Sequence, residues 1–377
     1  MLIFSFDYPP NDGGIARLCA AIAIELNARE LAVRVLSQQF NHGGDIDIDK
    51  QIRTTRINPV RPKRELIALN ELRATQEEKT CISGIWYPEG LLAQFGKFKH
   101  RVILAHSAEL YPPIQSWRRP IWRQLQRFVL ERADVVIANS HFTADLVKEA
   151  APNAQVIPVP LAVDHNQFCP QNSEEARLKW GVGNDKLVLC TVSRIHRFKG
   201  HETVLKALAS LPTEVRQKFE YLIGGKGSDT AYLQEQTKKL GIDDQVRWLG
   251  FVSDEDLPSL YSASDLFVLA TREIPGERSV EGFGLAFLEA QACGIPVVGT
   301  NTGGIPDAIS HGDGGWLIEE DNVDQLADIL TNLYNDPKKF RIAGNKARER
   351  VEREFTWEHY LDRFIAALDL EDIKFGT

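Results

Sequence analysis

Short apolar runs rich in β-branched residues recur along this chain with helical stretches between them, and the pattern starts over near the middle. LIFSF (2–6), VRVLS (33–37), CISGIW (81–86), RVILAH (101–106), DVVIAN (134–139) and QVIPV (155–159) read as strands. ARLCAAIAIELNAR (16–29) and FTADLVKEA (142–150) read as helices among them. The second series has LVLCTVS (187–193), FEYLIGG (219–225), QVRWLG (245–250), DLFVLA (265–270), PVVGT (296–300) and GGWLI (314–318) as strands, again separated by amphipathic helical segments. Strands joined through helices lie parallel, with helices covering both faces of the sheet. Two such series predict an α/β protein of two doubly wound, Rossmann-like domains, which suits a chain of 377 residues.

The break falls in VPLAVDHNQFCPQNSEEARLKWG (159–181), where two prolines and a polar run interrupt the periodicity. The expected domains are 1–165 and 166–355. The segment TWEHYLDRFIAALDL (356–370) carries apolar residues at helical spacing after the second sheet is complete. It predicts a terminal helix, within 356–377, that packs back on the first domain.

Several function classes lose their basis here. No apolar run approaches the ~20 residues of a membrane-spanning helix, and MLIFSFDYPP reads as a buried strand rather than a signal peptide. The five cysteines are odd in number, widely spaced and without a C-x-x-C pair, which argues against a disulfide framework or a zinc site and for a reducing cytoplasm. Residues 1–168 carry 20 basic against 18 acidic side chains, a balance of +2, whereas 169–377 carry 24 against 34, a balance of −10. Neither that charge nor any aromatic-basic motif makes a case for nucleic acid. GGKG (224–227) is not a P-loop, and no G-x-G-x-x-G with a following acid is present.

In a doubly wound sheet, ligands bind beyond the carboxyl ends of the strands, where loops meet helix N-termini. DGGIAR (12–17), EGFGL (281–285) and TGGIP (302–306) have that character. Each alone is ordinary turn chemistry; three together point to an anionic ligand lying between the domains. VSRIHRFKG (192–200) supplies Arg194 at a strand end and Lys199 ahead of a helix, two cations suited to two phosphates, although a solvated loop would look the same. Gly282 and Gly284 break the helix, so Glu281 lies in the loop and Glu289 about one turn inside. Carboxylates accept from sugar and ribose hydroxyls, and the helix start between them suits a diphosphate. The set predicts a nucleotide sugar.

The Glu-x7-Glu spacing of 281–289, the Arg194/Lys199 pair, the early Gly-Gly turn, and the segments ANSHFTADLV and GIPVVGTNTGGIPDAI together resemble glycosyltransferase family 4, the retaining enzymes of the GT-B fold, over nearly the whole chain. The resemblance implies two Rossmann-like domains facing across a cleft. It implies that Arg194 and Lys199 hold the donor diphosphate, that Glu289 takes the ribose hydroxyls, and that Glu281 takes those of the transferred sugar. Phe283, Gly284 and Leu285 would offer backbone amides, with Gly13 and Gly14 contributed by the first domain, and Val252 would meet the base. His106, closing a first-domain strand, matches the family's active-site histidine beside the acceptor. Ser193 stands where the family commonly has glycine, LAVD (161–164) replaces its usual turn, and TREIPGERSVEGFG (271–284) is similar to the loop of lipid-modifying members.

The expected reaction is transfer of a sugar from a nucleoside-diphosphate sugar, UDP-linked rather than GDP-linked, to an acceptor hydroxyl in cell-surface polysaccharide or glycolipid assembly. Front-face attack within an ion pair retains the configuration, with no cofactor. DIDID (45–49) spells the D-x-D of metal-dependent transferases but lies far in sequence from the phosphate cations; it reads as a solvated turn, and no metal is expected. A sugar-nucleotide epimerase and a non-catalytic nucleotide-sugar-binding partner are the rival readings. In SWRRPIWRQLQRFVLER (116–132), Trp117, Ile121, Trp122, Leu125, Phe128 and Val129 form one apolar stripe with arginines around it. It reads as a core-facing helix, or as a peripheral contact with an anionic membrane that brings a lipid-linked acceptor near His106.

Overall fold

A computed structural model describes residues 1–11, 13–39, 52–112, 116–274, 276–277 and 279–368. DIDID lies outside them. The chain divides into two compact units, Met1–Pro160 together with the segment from Tyr360 onward, and Leu161–His359.

The first unit is built on a seven-stranded parallel sheet of order β3-β2-β1-β4-β5-β6-β7. Its elements run β1 (Leu2–Phe4), α1 (Gly14–Ala28), β2 (Arg34–Gln38), β3 (Arg53–Ile57), α2 (Lys63–Ala74) and β4 (Thr80–Ser83). After a tight turn at Trp86–Gly90 come α3 (Leu91–Ala93), β5 (His100–Ala105), α4 (Arg119–Glu131), β6 (Val135–Ala138), α5 (His141–Ala150) and β7 (Val156–Pro158). One face of the sheet packs Leu2, Phe4, Leu36 and Cys81 against Ala68 and Leu72 of α2. Ser140 caps α5, its Oγ accepting from Thr143 N–H at 3.1 Å.

The second unit carries a six-stranded parallel sheet, β10-β9-β8-β11-β12-β13. It begins with α6 (Ser173–Trp180), β8 (Leu187–Val192), α7 (His201–Ser210), α8 (Thr213–Arg216), β9 (Phe219–Gly224), α9 (Thr230–Lys239) and β10 (Val246–Gly250). It continues with α10 (Leu257–Ser262), β11 (Leu266–Leu269), α11 (Leu285–Ala292), β12 (Val297–Thr300), α12 (Ile305–Ala308) and β13 (Gly315–Ile318). α13 (Val323–Asn335) and α14 (Pro337–Glu354) follow. Its core mixes aliphatic side chains, among them Leu189, Val204, Leu208, Ile223, Val268 and Leu330, with the buried rings of Phe219, Tyr221 and Phe340. Both sheets reverse strand order beside their first strands, which places ligand-binding loops at the carboxyl ends of β1 and β4 in one unit and of β8 and β11 in the other.

The last helix, α15 (Trp357–Leu368), starts in one unit and ends in the other. Leu361, Phe364 and Leu368 are buried, and Arg29 of α1 donates to Asp362 Oδ1 at 2.6 Å.

Four elements depart from the periodicity reading. β3 is RTTRI, with only Ile57 buried, so no apolar alternation marks it. Helix α2 has low mean hydrophobic content and buries Arg64, Ala68 and Leu72. α6 occupies the polar run assigned to the linker; Asn172 caps it and Gly181, at φ 64°, ends it, while only Ala176 is buried. α14 is charged over most of its surface yet buries Phe340, Gly344, Ala347 and Val351 at helical spacing. The stripe expected on 116–132 also divides. Trp122 and Leu125 pack on the core and Val129 is buried, but Trp117, Ile121 and Phe128 are 68%, 66% and 47% exposed. The sheet occupies one side of α4, and those three side chains stand on another. No described helix is long and apolar enough to cross a membrane.

Candidate functional site

In the second unit the predicted cations and carboxylates come from the carboxyl ends of β8 and β11. Lys199 Nζ donates to Glu281 Oε2 at 2.5 Å, and both side chains are largely screened from solvent. Arg194 is exposed just past β8 and forms no ion pair with a described residue. Lys199 holds its place because Gly200 turns the chain at φ 69°; a Cβ there would lie 1.6 Å from the Ala270 carbonyl oxygen. Arg197 N–H, in the same loop, donates to Asp229 Oδ2 at 2.9 Å.

Behind this loop runs a buried polar chain. Ser193 Oγ meets His201 Nε2 at 3.1 Å, His201 Nδ1 meets Tyr221 OH at 3.4 Å, and Tyr221 OH meets Thr191 Oγ1 at 2.7 Å. Burial, aided by the nearby Lys199 charge, pulls the His201 imidazole down to about 4, so the ring is neutral near neutral pH. The serine that replaces the family's usual glycine thus anchors the loop to the sheet.

Glu281 is fixed from its other side. Its carbonyl oxygen accepts from Gly304 N–H at 2.9 Å, and Gly303 sits so close that a Cβ would come within 2.4 Å of that oxygen. The TGGIP loop therefore supports the glutamate loop, a role its glycines did not announce in sequence. Gly284, at φ 93°, precedes α11, which opens at Leu285 with Phe283 buried behind it. Glu289 lies one turn in, where Tyr261 OH donates to its Oε2 at 2.7 Å. Tyr261, on the short helix α10, carried no sequence signal. Val252 lies past β10; its Cγ2 would be 3.2 Å from a Cβ on Gly224, at the end of β9. The structure thus joins Lys199 to Glu281 and puts Glu289 on the same helix start, while Arg194 projects to solvent.

In the first unit the neighbouring strands β1, β4 and β5 bring a second group together. His106 follows β5, and its Nε2 is 2.8 Å from the Gly84 carbonyl oxygen beyond β4. A carbonyl only accepts, so Nε2 carries a proton and Nδ1 is the other face of the ring. The backbone N–H of His106 donates to Glu109 Oε1 at 2.6 Å. Ser107, immediately after, holds φ 89°, a strained backbone for a residue with a Cβ and a mark of functional loops. Gly13 caps α1, with Asp7 Oδ2 2.9 Å from where its Cβ would be; nothing approaches that point on Gly14. Glu89 was not foreseen. It is fully buried after β4, its Oε1 accepts from Phe6 N–H at 3.0 Å, and its Oε2 has no partner. Burial lifts its carboxyl to about 7.

Among the described residues no three His, Cys, Asp or Glu side chains gather as a metal-ligating cluster.

Two family profiles match, "Glycosyl transferase 4-like domain" over residues 13–162 and "Glycosyl transferases group 1" over 172–350. The N-acetyl-alpha-D-glucosaminyl L-malate synthase of Bacillus anthracis is 32% identical over 249 residues, 65% of this chain; the match spans 62% of that relative, under two thirds of its length. A GDP-mannose-dependent alpha-(1-6)-phosphatidylinositol monomannoside mannosyltransferase of Mycobacterium tuberculosis is 28% identical, with 95% of each chain covered. Among solved structures, sucrose-phosphate synthase from Thermosynechococcus elongatus superposes with a TM-score of 0.81 at 22% identity, covering 97% of each chain. HepE of Anabaena, in complex with UDP, gives 0.80 at 20% identity, covering 98% of this chain and 99% of that one. The chain belongs to glycosyltransferase family 4, and its two doubly wound units are those of the GT-B fold.

Proposed function

We propose that this chain moves a sugar from a nucleoside-diphosphate sugar to an acceptor hydroxyl, with retention of configuration and without a bound metal. The Lys199–Glu281 pair at the start of α11 carries this reading: it sets a cation for phosphate against a carboxylate for sugar hydroxyls, at 2.5 Å, where helix amides point outward.

Lys199 and the exposed Arg194 take the donor diphosphate, with the amides of Phe283, Gly284 and Leu285. Glu281 accepts from hydroxyls of the transferred sugar. Glu289, oriented by Tyr261, accepts from the ribose, and the backbone at Val252 meets the base. As the glycosidic bond to the diphosphate breaks, its electron pair becomes charge on phosphate oxygens, which the two cations stabilise. The acceptor hydroxyl attacks from the same face and passes its proton to the departing diphosphate, so the anomer is kept. His106, with Nε2 committed to Gly84, presents its other nitrogen to the acceptor.

The acceptor is a sugar, or a sugar carried on a lipid at an anionic membrane face, in cell-surface polysaccharide or glycolipid assembly. A cytoplasmic setting suits five free cysteines, four of them buried. The sequence reading puts UDP-sugars first, and the mannosyltransferase relative, GDP-mannose-dependent by name, sets GDP-mannose beside them.

The test is a panel of UDP-sugars and GDP-mannose against sugar and lipid-linked acceptors, read by nucleoside diphosphate release and by the anomeric configuration of the product, with and without chelator. Acceptor-dependent release, a retained anomer and indifference to chelator are expected. An isomerised nucleotide sugar formed without acceptor makes the chain an epimerase; donor binding with no release across the panel makes it a binding partner. Activity lost to chelator and restored by magnesium or manganese overturns metal independence.

A further inference from the structure

The exposed side of α4 is the feature of the fold that the transfer chemistry leaves unused. Trp117, in the 3-10 turn Ser116–Arg118 that leads into α4, is followed by Ile121, Gln124 and Phe128 of the helix and by Arg132 at its C-terminal cap, at steps of four, three, four and four residues, which puts them along one side. The three apolar members are 68%, 66% and 47% exposed, whereas the opposite side is committed to the core through Trp122, whose ring centroid lies 4.8 Å from that of Trp86, and through buried Val129 and Leu130. The ridge is therefore surplus to the packing of this unit.

Its charge is one-sided. Residues 116–132 hold five arginines and one acid, Glu131, which is paired with Arg127 at 2.9 Å. Two of the arginines lie against the ridge itself: the Arg118 guanidinium is 4.7 Å from the Trp117 ring centroid, and that of Arg132 is 5.2 Å from the Phe128 ring. Exposed Trp and Phe interleaved with arginines match the interface of an anionic bilayer, where indole and phenyl rings settle at headgroup depth and guanidinium groups meet lipid phosphates. A second copy of this chain docked symmetrically on the same ridge would bring arginines against arginines, which disfavours self-association.

We propose that α4 and the turn leading into it are a bilayer-docking element: Trp117, Ile121 and Phe128 enter the headgroup layer of an anionic membrane, and Arg118 and Arg132 hold it there by contact with lipid phosphate. The purpose of such docking rests on the proposed lipid-linked acceptor, but the docking itself is measured with neither donor nor acceptor present. Failure to bind vesicles and failure to transfer sugar are thus separate results.

The experiment is vesicle co-sedimentation with phosphatidylcholine alone, and with about one-third phosphatidylglycerol, at ~0.05 M and ~0.5 M salt. The wild-type chain is expected to bind only the anionic vesicles and to weaken tenfold or more at the higher salt. Replacing Trp117, Ile121 and Phe128 together by serine is expected to cut binding at least tenfold; Arg118→Gln with Arg132→Gln removes most of the salt dependence. All five positions are exposed, so folding is checked by unchanged thermal unfolding, and Leu178→Ser, at a side chain 82% exposed on the second unit, serves as the matched apolar control. Absence of binding to anionic vesicles at low salt, or serine variants that bind like the wild type, overturns the proposal. So does a wild-type chain that ignores vesicles but self-associates in sedimentation velocity through the same three residues, since the ridge is then an interface between copies.

Discussion

Glu89→Gln isolates the buried carboxyl of the first unit. The Phe6 N–H is held by Oε1 at 3.0 Å, Oε2 has no partner, and the charged or titratable groups that bear on the site are Arg64 of α2, Asp7 after β1 and Cys19 of α1. Glutamine keeps the acceptor and mimics the protonated acid. In the unfolded chain this carboxyl ionises at the ordinary value of 4.5, but in the folded chain near 7, so across that window the folded state binds a proton the unfolded state has released. Its stabilising effect is complete below the lower value and is lost as pH rises through the upper one; at 1.36 kcal/mol per tenfold the loss is about 3 kcal/mol. Hydrogen exchange at the β1 amides, corrected for intrinsic rates, reads the opening free energy of this unit at about pH 5 and about pH 8. The wild type is expected to lose most of that 3 kcal/mol between the two, while the glutamine variant stays level and becomes the more stable protein at the higher pH. Parallel behaviour of the two proteins would refute the reasoning.

Three further outcomes follow from the second unit. Lys199→Ala and Arg194→Ala each lower turnover by about 10²–10³, the scale of removing one preorganised charge from a leaving group, and near-normal turnover in both removes the cations from the mechanism. Glu281→Ala acts mainly on kcat, because its contact changes as the bond breaks; Glu289→Ala and, more mildly, Tyr261→Phe act mainly on donor KM, and equal effects on both parameters contradict the division of roles. Gly200→Ala, forced against the Ala270 carbonyl at positive φ, costs more than about 3 kcal/mol in thermal unfolding, and a variant as stable as the parent shows that the turn relaxes freely.

The sheet architecture was legible because buried parallel strands are written as uninterrupted apolar runs, and twelve of the thirteen described strands need little else to be seen. β3 escaped because an edge strand with one buried residue has no pattern to show; α6 and α14 escaped because a helix that buries a narrow line among charges resembles a linker. The pairing of Lys199 with Glu281 was visible only as two residues of suitable chemistry at two loop positions; their 2.5 Å contact depends on turns at Gly200 and Gly303 that act through neighbours distant in sequence. Tyr261, His201 and Glu89 had no signal at all, since a buried polar residue announces itself only when its partner across the fold is known. The stripe on α4 shows the converse: periodicity identified its apolar members, but which of them face the core depends on where the sheet lies.

The helix that begins at Trp357 gives the two units different histories during synthesis. Leu161–His359 is one unbroken stretch and has its whole core once that stretch has emerged. The first unit, although its seven strands come first, leaves the places of Leu361, Phe364 and Leu368 unfilled until α15 is made, so nascent Met1–Pro160 exposes apolar surface throughout translation of the rest. The part of the chain made earliest is therefore the last to be complete, and the one most in need of chaperone cover.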